Sequence, residues 1–166
     1  MFLINETRGK LSVIETQRCI VRKFQLSDTD DLYKVLSNPE VMKFIEPPFT
    51  YTKTKNFIIQ YGLCEKPLVW ALELKESGSV IGHVIFHQYD TGKYEIGWII
   101  SDRLWGGGIA SEVTKQLIKF AQQNSDISSL VLECAPNQEV TKYLAIKHGF
   151  QLIEENERNI YELQLL

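Results

Sequence analysis

The chain is 166 residues long, 44% hydrophobic and 23% charged, the size and composition of one globular domain. A formal net charge of -3 and an isoelectric point near 5.7 exclude the uniform basic field of a general DNA or RNA binder, so small-molecule or peptide partners fit better than nucleic acid. Cys19, Cys64 and Cys134 are odd in number and form no C-x-x-C pair, which excludes a disulfide framework and a Cys-rich zinc site and points to a reducing cytoplasm.

Met1 to Ile4 are apolar, but Asn5, Glu6 and Arg8 follow at once, too soon for the apolar core of a signal peptide, and no later stretch reaches membrane-spanning length. Residues 12 to 24 partly alternate apolar with polar, which predicts a first strand around Cys19 to Phe24. Ser27 followed by Asp28, Asp30 and Asp31 marks a helix start, a side-chain cap with acids at the positive end, and Leu32, Val35 and Leu36 share one face. Asn38-Pro39 ends that helix. A turn of helix over Glu40 to Phe44 and the extended Pro47-Pro48 lead to a helix capped by Thr52, carrying Phe57, Ile58 and Tyr61 and stopped by Gly62.

Three strand-like runs, Leu68 to Leu74, Ser79 to His87 and Tyr94 to Ser101, are separated by the turn-rich Glu76-Ser77-Gly78 and Asp90-Thr91-Gly92. Connections this short join antiparallel neighbours, because a parallel crossover needs about a dozen residues or more. A helix from Ile109 to Gln122 sets Ala110, Val113, Leu117, Phe120 and Ala121 on one stripe. A strand at Ser129 to Cys134, a helix from Glu139 to His148 and a strand from Asn159 to Leu165 complete an α+β chain with a mixed sheet, read as a single domain over residues 1–166.

Between the third of those runs and the long helix stands Arg103-Leu104-Trp105-Gly106-Gly107-Gly108. Glycines let the backbone approach a phosphate, several N–H groups converge on it, and the helix start at Ile109 adds its positive dipole. A nucleoside-triphosphate loop would end in Gly-Lys-Ser/Thr, whereas Ile109 and Ala110 follow here. A dinucleotide fingerprint would lose its third glycine to Ser111 and would need a parallel doubly wound sheet, against the hairpin-length turns.

The surviving pattern resembles the GNAT N-acetyltransferase superfamily, whose pyrophosphate loop reads Arg or Gln, two residues, Gly, one residue, Gly or Ala, as Arg103, Gly106 and Gly108 do. The resemblance covers nearly the whole chain and lies nearest the ribosomal-protein N-acetyltransferases. It runs through Glu15-Thr16-Gln17-Arg18 before Ile20-Val21-Arg22, Asp28 with Asp31, and Asn38-Pro39-Glu40-Val41-Met42. It continues in Tyr94-Glu95-Ile96-Gly97-Trp98, Trp105 to Glu112 and His148-Gly149-Phe150. It implies a mixed, mostly antiparallel central sheet flanked by helices, acetyl-CoA as co-substrate without a metal, and an amine acceptor, either a protein N-terminus or a small molecule. It also implies an opening between the fourth and fifth strands for the pantetheine arm, supported by the backbone of Ile99 and Ile100. Arg103, Gly106, Gly107, Gly108, Ile109 and Ala110 would then hold the pyrophosphate. A homodimer is compatible with the sequence; the rival readings are a CoA-binding regulatory module without catalysis and a nicotinamide-dependent oxidoreductase.

An attacking amine must be neutral, yet a lysine amine has a reference pKa of about 10.4 and an α-amine about 8, so the site needs a proton acceptor. Glu95, on the strand leading to the glycine loop where the resembling branch often has Glu, fits that role; its other reading is a solvated carboxylate or an ion-pair partner. Thr141 stands eight residues before Gly149, where the branch commonly has Ser, and its hydroxyl would stabilise the departing thiolate unless it bonds its own helix backbone. Asn137 is a helix cap or a CoA ligand, one residue earlier than the family pattern sets it. His83 and His87 share a strand face about 13 Å apart, at about 3.3 Å per residue, too far to share a metal, and receive no chemistry. Cys134 reads as a small apolar strand residue, and Trp70, Trp98 and Trp105 as core or pocket wall.

Overall fold

A computed structural model describes residues 13–165; the apolar Met1 to Ile4 lie outside the described residues. The strand expected around Cys19 to Phe24 is present over Cys19–Arg22, and a short strand before it pairs with it. β1 (Val13–Glu15) and β2 (Cys19–Arg22) form an antiparallel hairpin, turned where the Thr16 hydroxyl accepts the Cys19 N–H at 2.9 Å. Then come α1 (Thr29–Leu36), α2 (Pro39–Met42), α3 (Tyr51–Phe57), β3 (Val69–Leu74), β4 (Val80–Asp90), β5 (Lys93–Ile100), α4 (Ile109–Gln122), β6 (Ser129–Cys134), α5 (Glu139–Lys147), β7 (Gln151–Glu155) and β8 (Asn159–Gln164).

Local chemistry sets the ends of these helices. A 3-10 turn over Leu26–Asp28 leads into α1, and the Asp28 carboxylate, not Ser27, reaches back to the Gln25 N–H at 2.8 Å while pairing with Arg22 at 2.9 Å. Asn38 accepts the Glu40 N–H at 3.0 Å and starts α2 with Pro39 in its first turn. The cap of α3 is Thr50, two residues before the expected Thr52, because it is the Thr50 hydroxyl that accepts the Lys53 N–H, at 3.1 Å.

The eight strands make one sheet in the order β1-β2-β3-β4-β5-β6-β8-β7, antiparallel throughout except between β5 and β6. This is the α+β class and the mostly antiparallel mixed sheet that the sequence predicts. On one face Val113, Leu117 and Phe120 of α4 pack on Val84, Phe86, Ile96, Ile100, Leu130 and Leu132. On the other, Leu32, Val35 and Leu36 of α1 pack with Met42, Ile58, Val69 and Ala71. Each such side chain, fully buried, stabilises by roughly 1.5–3 kcal/mol, so the sheet is fixed firmly from both sides in its middle. β7 escapes a sequence reading because all five of its residues are exposed, Leu152 and Ile153 included, so its side chains show no two-residue alternation. No helix among the described residues is long and apolar enough to cross a membrane.

Candidate active site

β5 is paired with β4 from Lys93, opposite Asp90, to Ile100, opposite Gly82, but with β6 only at Lys93, Tyr94 and Glu95, whose partners are Ser129, Leu130 and Val131. Beyond Glu95 the two parallel strands part. Peptide groups alternate in direction along a strand, and this decides which of them face the gap. The Ser101 N–H donates to the Ile81 carbonyl at 2.8 Å, and the Ile99 carbonyl lies so close to β4 that a Cβ on Gly82 would be 1.8 Å from it. The peptide groups of Ile99 therefore turn to β4, while the Ile96 carbonyl and the peptide groups of Trp98 and Ile100 turn to the gap; the Ile96 N–H closes the last rung to Val131. There the Ile100 carbonyl already accepts the Trp105 indole N–H at 3.0 Å. Of the two isoleucines singled out for a pantetheine arm, Ile100 borders the gap with its N–H, and Ile96 and Trp98 join it.

The gap opens toward the glycine loop. Gly106 and Gly108 have φ of +77° and +85°, the left-handed region that favours glycine, and Gly108 directly precedes α4. A Cβ on Gly106 would meet nothing within 4 Å, so bare backbone fronts open space beside the unbonded first-turn N–H groups of Ile109 and Ala110. Arg103 is exposed on the preceding 3-10 turn, Asp102–Leu104. A second guanidinium, unforeseen from sequence, comes from the β1–β2 hairpin. Arg18 brings Nη1 and Nη2 to 3.7 and 3.6 Å from the Cβ positions of Gly107 and Gly108, while its Nε donates to Glu112 at 3.0 Å. Partial burial pushes the Glu112 pKa up, but hydrogen bonds from Thr16 and Arg18 outweigh it and hold the carboxylate below its ordinary range.

Across the gap, α5 begins at Glu139 with Gln138 at its cap, and the Gln138 side chain accepts the Ala135 N–H at 3.2 Å. Asn137 is thus free of capping duty. With Ala135 it forms one wall of a cavity of about 550 Å³ whose other wall is Pro39 and residues 42–48. Thr141, half-buried in the first turn of α5, makes no side-chain hydrogen bond among the described residues, so its hydroxyl is not taken up by the helix backbone.

Glu95 stands at the last paired step before the strands part. Ile96 and Ile100 face α4, so Glu95, Gly97 and Ile99 face the other side of the sheet, where β4 sets His87 directly opposite Glu95. His87 Nε2 lies 2.8 Å from Glu95 Oε2 and Nδ1 lies 3.0 Å from the Gln88 carbonyl. The hydrogen bond to Glu95 raises the His87 pKa, and burial only partly opposes it. His83, on the same face opposite Ile99, is buried against Phe57 with ring centroids 5.1 Å apart; its Nδ1 has no hydrogen-bond partner among the described residues, and burial lowers its pKa to about 4.

Residues 18–151 match the family model described as Acetyltransferase (GNAT) domain. The chain belongs to the GNAT acetyltransferase family. It is 26% identical over 136 residues to the uncharacterized N-acetyltransferase YnaD of Bacillus subtilis (strain 168), covering 81% of this chain and 79% of YnaD. In fold it is similar to a GNAT-family acetyltransferase from Bacillus anthracis, with a TM-score of 0.83 at 24% identity over 92% of this chain and 98% of that one. It is also similar to RimL, the ribosomal L7/L12 α-N-protein acetyltransferase in complex with coenzyme A, with a TM-score of 0.79 at 15% identity over 93% and 98%. Against this GNAT frame, the residues that sequence reasoning passed over are His87, Arg18, Ile96 and Trp98. A cross-strand partner such as His87 becomes visible only once the register of β4 on β5 is known.

Proposed function

We propose that this GNAT acetyltransferase moves an acetyl group from acetyl-CoA to an amine by direct attack. In this reading the pyrophosphate lies on Arg103 and the loop Gly106, Gly107, Gly108, Ile109 and Ala110, and the pantetheine arm lies along the free edge of β5, with the Ile100 N–H among its supports. The observation that carries it is the parting of β5 from β6 just beyond Glu95, which leaves an unpaired strand edge between the glycine loop and a carboxylate. Both donor-binding elements suit an anion on an extended arm, the loop by its bare backbone and the edge by its unpaired peptide groups.

The ammonium form of the acceptor gives its proton to Glu95, directly or through one water. The neutral amine attacks the thioester carbon, the C–N bond forms and the C–S bond breaks, and the second proton, on the acylated nitrogen, passes to the sulfur, which leaves as the CoA thiol. The Thr141 hydroxyl donates a hydrogen bond to the departing sulfur, while Asn137 borders both the arm and the acceptor cavity. The acceptor enters through that cavity, whose rim from Met42 to Pro48 is largely apolar; Glu46 is held by Lys53 at 2.8 Å, leaving Lys43 as the cation of the rim. Phe49 is buried behind it. Because RimL is named for a protein α-amine, N-terminal peptides come first among candidate acceptors, followed by small-molecule amines.

The test is a screen of N-terminal peptides and small amines, following free thiol released from acetyl-CoA, repeated with Glu95→Gln. Glu95→Gln should slow single-turnover transfer by about 10²- to 10⁴-fold with acetyl-CoA affinity nearly intact, and higher pH should recover part of the loss by supplying neutral amine. Binding of acetyl-CoA with no turnover of any amine would make the chain a regulatory module instead.

A further inference from the structure

We propose that His87 and Glu95 act as one proton-accepting pair, Glu95 taking the proton of the attacking amine and His87 carrying it on to solvent. The inference rests on Glu95 being the base. It starts from register: antiparallel pairing sets residue 87 against residue 95, and the two side chains meet at 2.8 Å on the face that leads to the gap. Both side chains keep about a quarter to a fifth of their surface exposed, 24% for His87 and 20% for Glu95, so the pair touches solvent as well as the site.

The ring is placed between two acceptors, Glu95 Oε2 on Nε2 and the Gln88 carbonyl on Nδ1 at 3.0 Å. A neutral imidazole has one N–H and satisfies one of them; the other contact then sets lone pair against lone pair. Only the imidazolium satisfies both. A proton brought to the pair while its imidazole is neutral therefore settles on His87, and Glu95 returns to carboxylate. Glu95 Oε1, which has no hydrogen bond among the described residues, is the atom left open to the amine. The step balances: the ammonium loses one proton to Oε1, the carboxyl group turns and passes it to Nε2, and the imidazolium releases it to water. His87 is thus a positioning and relay residue acting through Glu95.

Other charges on this face favour the same direction. Glu133 of β6 is the next carboxylate, held by the Tyr89 hydroxyl at 3.2 Å and by Arg158 at 3.6 Å, and Glu154 of β7 lies near Tyr89. Lys93 is taken up by Glu162 at 3.0 Å, and His83 stays neutral in its apolar surroundings. With His87 held above its ordinary pKa by Glu95, the pair is already loaded with a proton at low pH and accepts none. Transfer should then fall as pH drops through an ionisation above the histidine reference of about 6.5.

Two measurements on the whole chain test this. Imidazole ¹⁵N signals of His87, assigned with His87→Gln, are titrated in the wild type and in Glu95→Gln. Single-turnover acetylation of the α-amine of an alanyl tripeptide at saturating acetyl-CoA is followed across pH in the wild type, His87→Gln and Glu95→Gln, with His87→Asn in reserve should the Gln variant not fold. The pair predicts a His87 midpoint above the ordinary value of about 6.5 that falls in Glu95→Gln. It also predicts an acidic limb that moves to lower pH in His87→Gln. A limb unmoved by His87→Gln, or a His87 midpoint unmoved by Glu95→Gln, overturns the pair while leaving Glu95 as a base. Wild-type transfer rates in Glu95→Gln remove Glu95 from the chemistry altogether, and the inference falls with it.

Discussion

The edge of β5 that meets β4 and the edge that meets β6 belong to the same eight residues, yet one is zipped to the end and the other opens after three. The β4 edge is reached by a tight turn at Thr91-Gly92, and each step of a hairpin fixes the next. The β6 edge is reached through the glycine loop and the whole of α4, so nothing local compels the strands to stay together. The difference teaches how a strand can offer free peptide groups without fraying: it is held rigidly on one side and by the core beneath while its other side is left to a ligand.

The closed edge is the easier one to break. Gly82→Ala would drive a Cβ to within 1.8 Å of the Ile99 carbonyl, a backbone atom that moves only if β4 and β5 separate. We expect a loss of about 3 kcal/mol or more in chemical denaturation. A wild-type midpoint would mean that the strands are not in this close approach. The open edge is probed next, at the loop it leads to. In Gly108→Val a β-branched residue replaces a glycine at φ +85°, and the bare backbone facing the donor is lost. Acetyl-CoA at a hundredfold excess over its Kd should stabilise the wild type by about 2.7 kcal/mol, and the variant should lose that gain in a thermal shift assay. A folded variant that keeps the shift would separate the open edge from donor binding.

The smallest effect sharpens the comparison where His83 backs Ile99 on the closed edge. Its folded pKa is lowered to about 4 by burial, while unfolded histidine titrates near about 6.5. Between these values the unfolded chain binds a proton that the folded chain does not, so stability falls as pH drops through that window, by about 2 kcal/mol from pH 7 to pH 5 for this group. His83→Leu removes an unpartnered buried nitrogen and should flatten that limb in denaturation curves at the two pH values. A limb of unchanged depth would assign the acid sensitivity to other groups.

Elements with strong local signals were legible in the sequence. α4 and β6 run over the residues that the apolar stripe and the bounded apolar run predict, and the hairpin turns at Ser77-Gly78 and Thr91-Gly92 correctly require an antiparallel middle of the sheet. What failed had no one-dimensional signature. β1 is three residues joined to the predicted strand by a turn that a side-chain hydroxyl makes, and β7 has no buried face to impose alternation. The shape of the glycine loop could be anticipated because glycine spacing acts through backbone local to it. The contact that Glu95 makes could not, since His87 lies eight residues back on another strand, nor could the approach of the Arg18 guanidinium, which arrives from the far end of the chain. Peptide direction at Ile99 is likewise a matter of register, which residue type does not encode.

Trp105 has a consequence of a different kind. It is 56% exposed, whereas Trp70 is buried and Trp98 half-buried, and its indole is tied to the last carbonyl of β5 at the doorway between the gap and the phosphate loop. On the donor path proposed above, acetyl-CoA crosses this doorway, and a shift in Trp105 emission on its addition is the expected sign of occupancy.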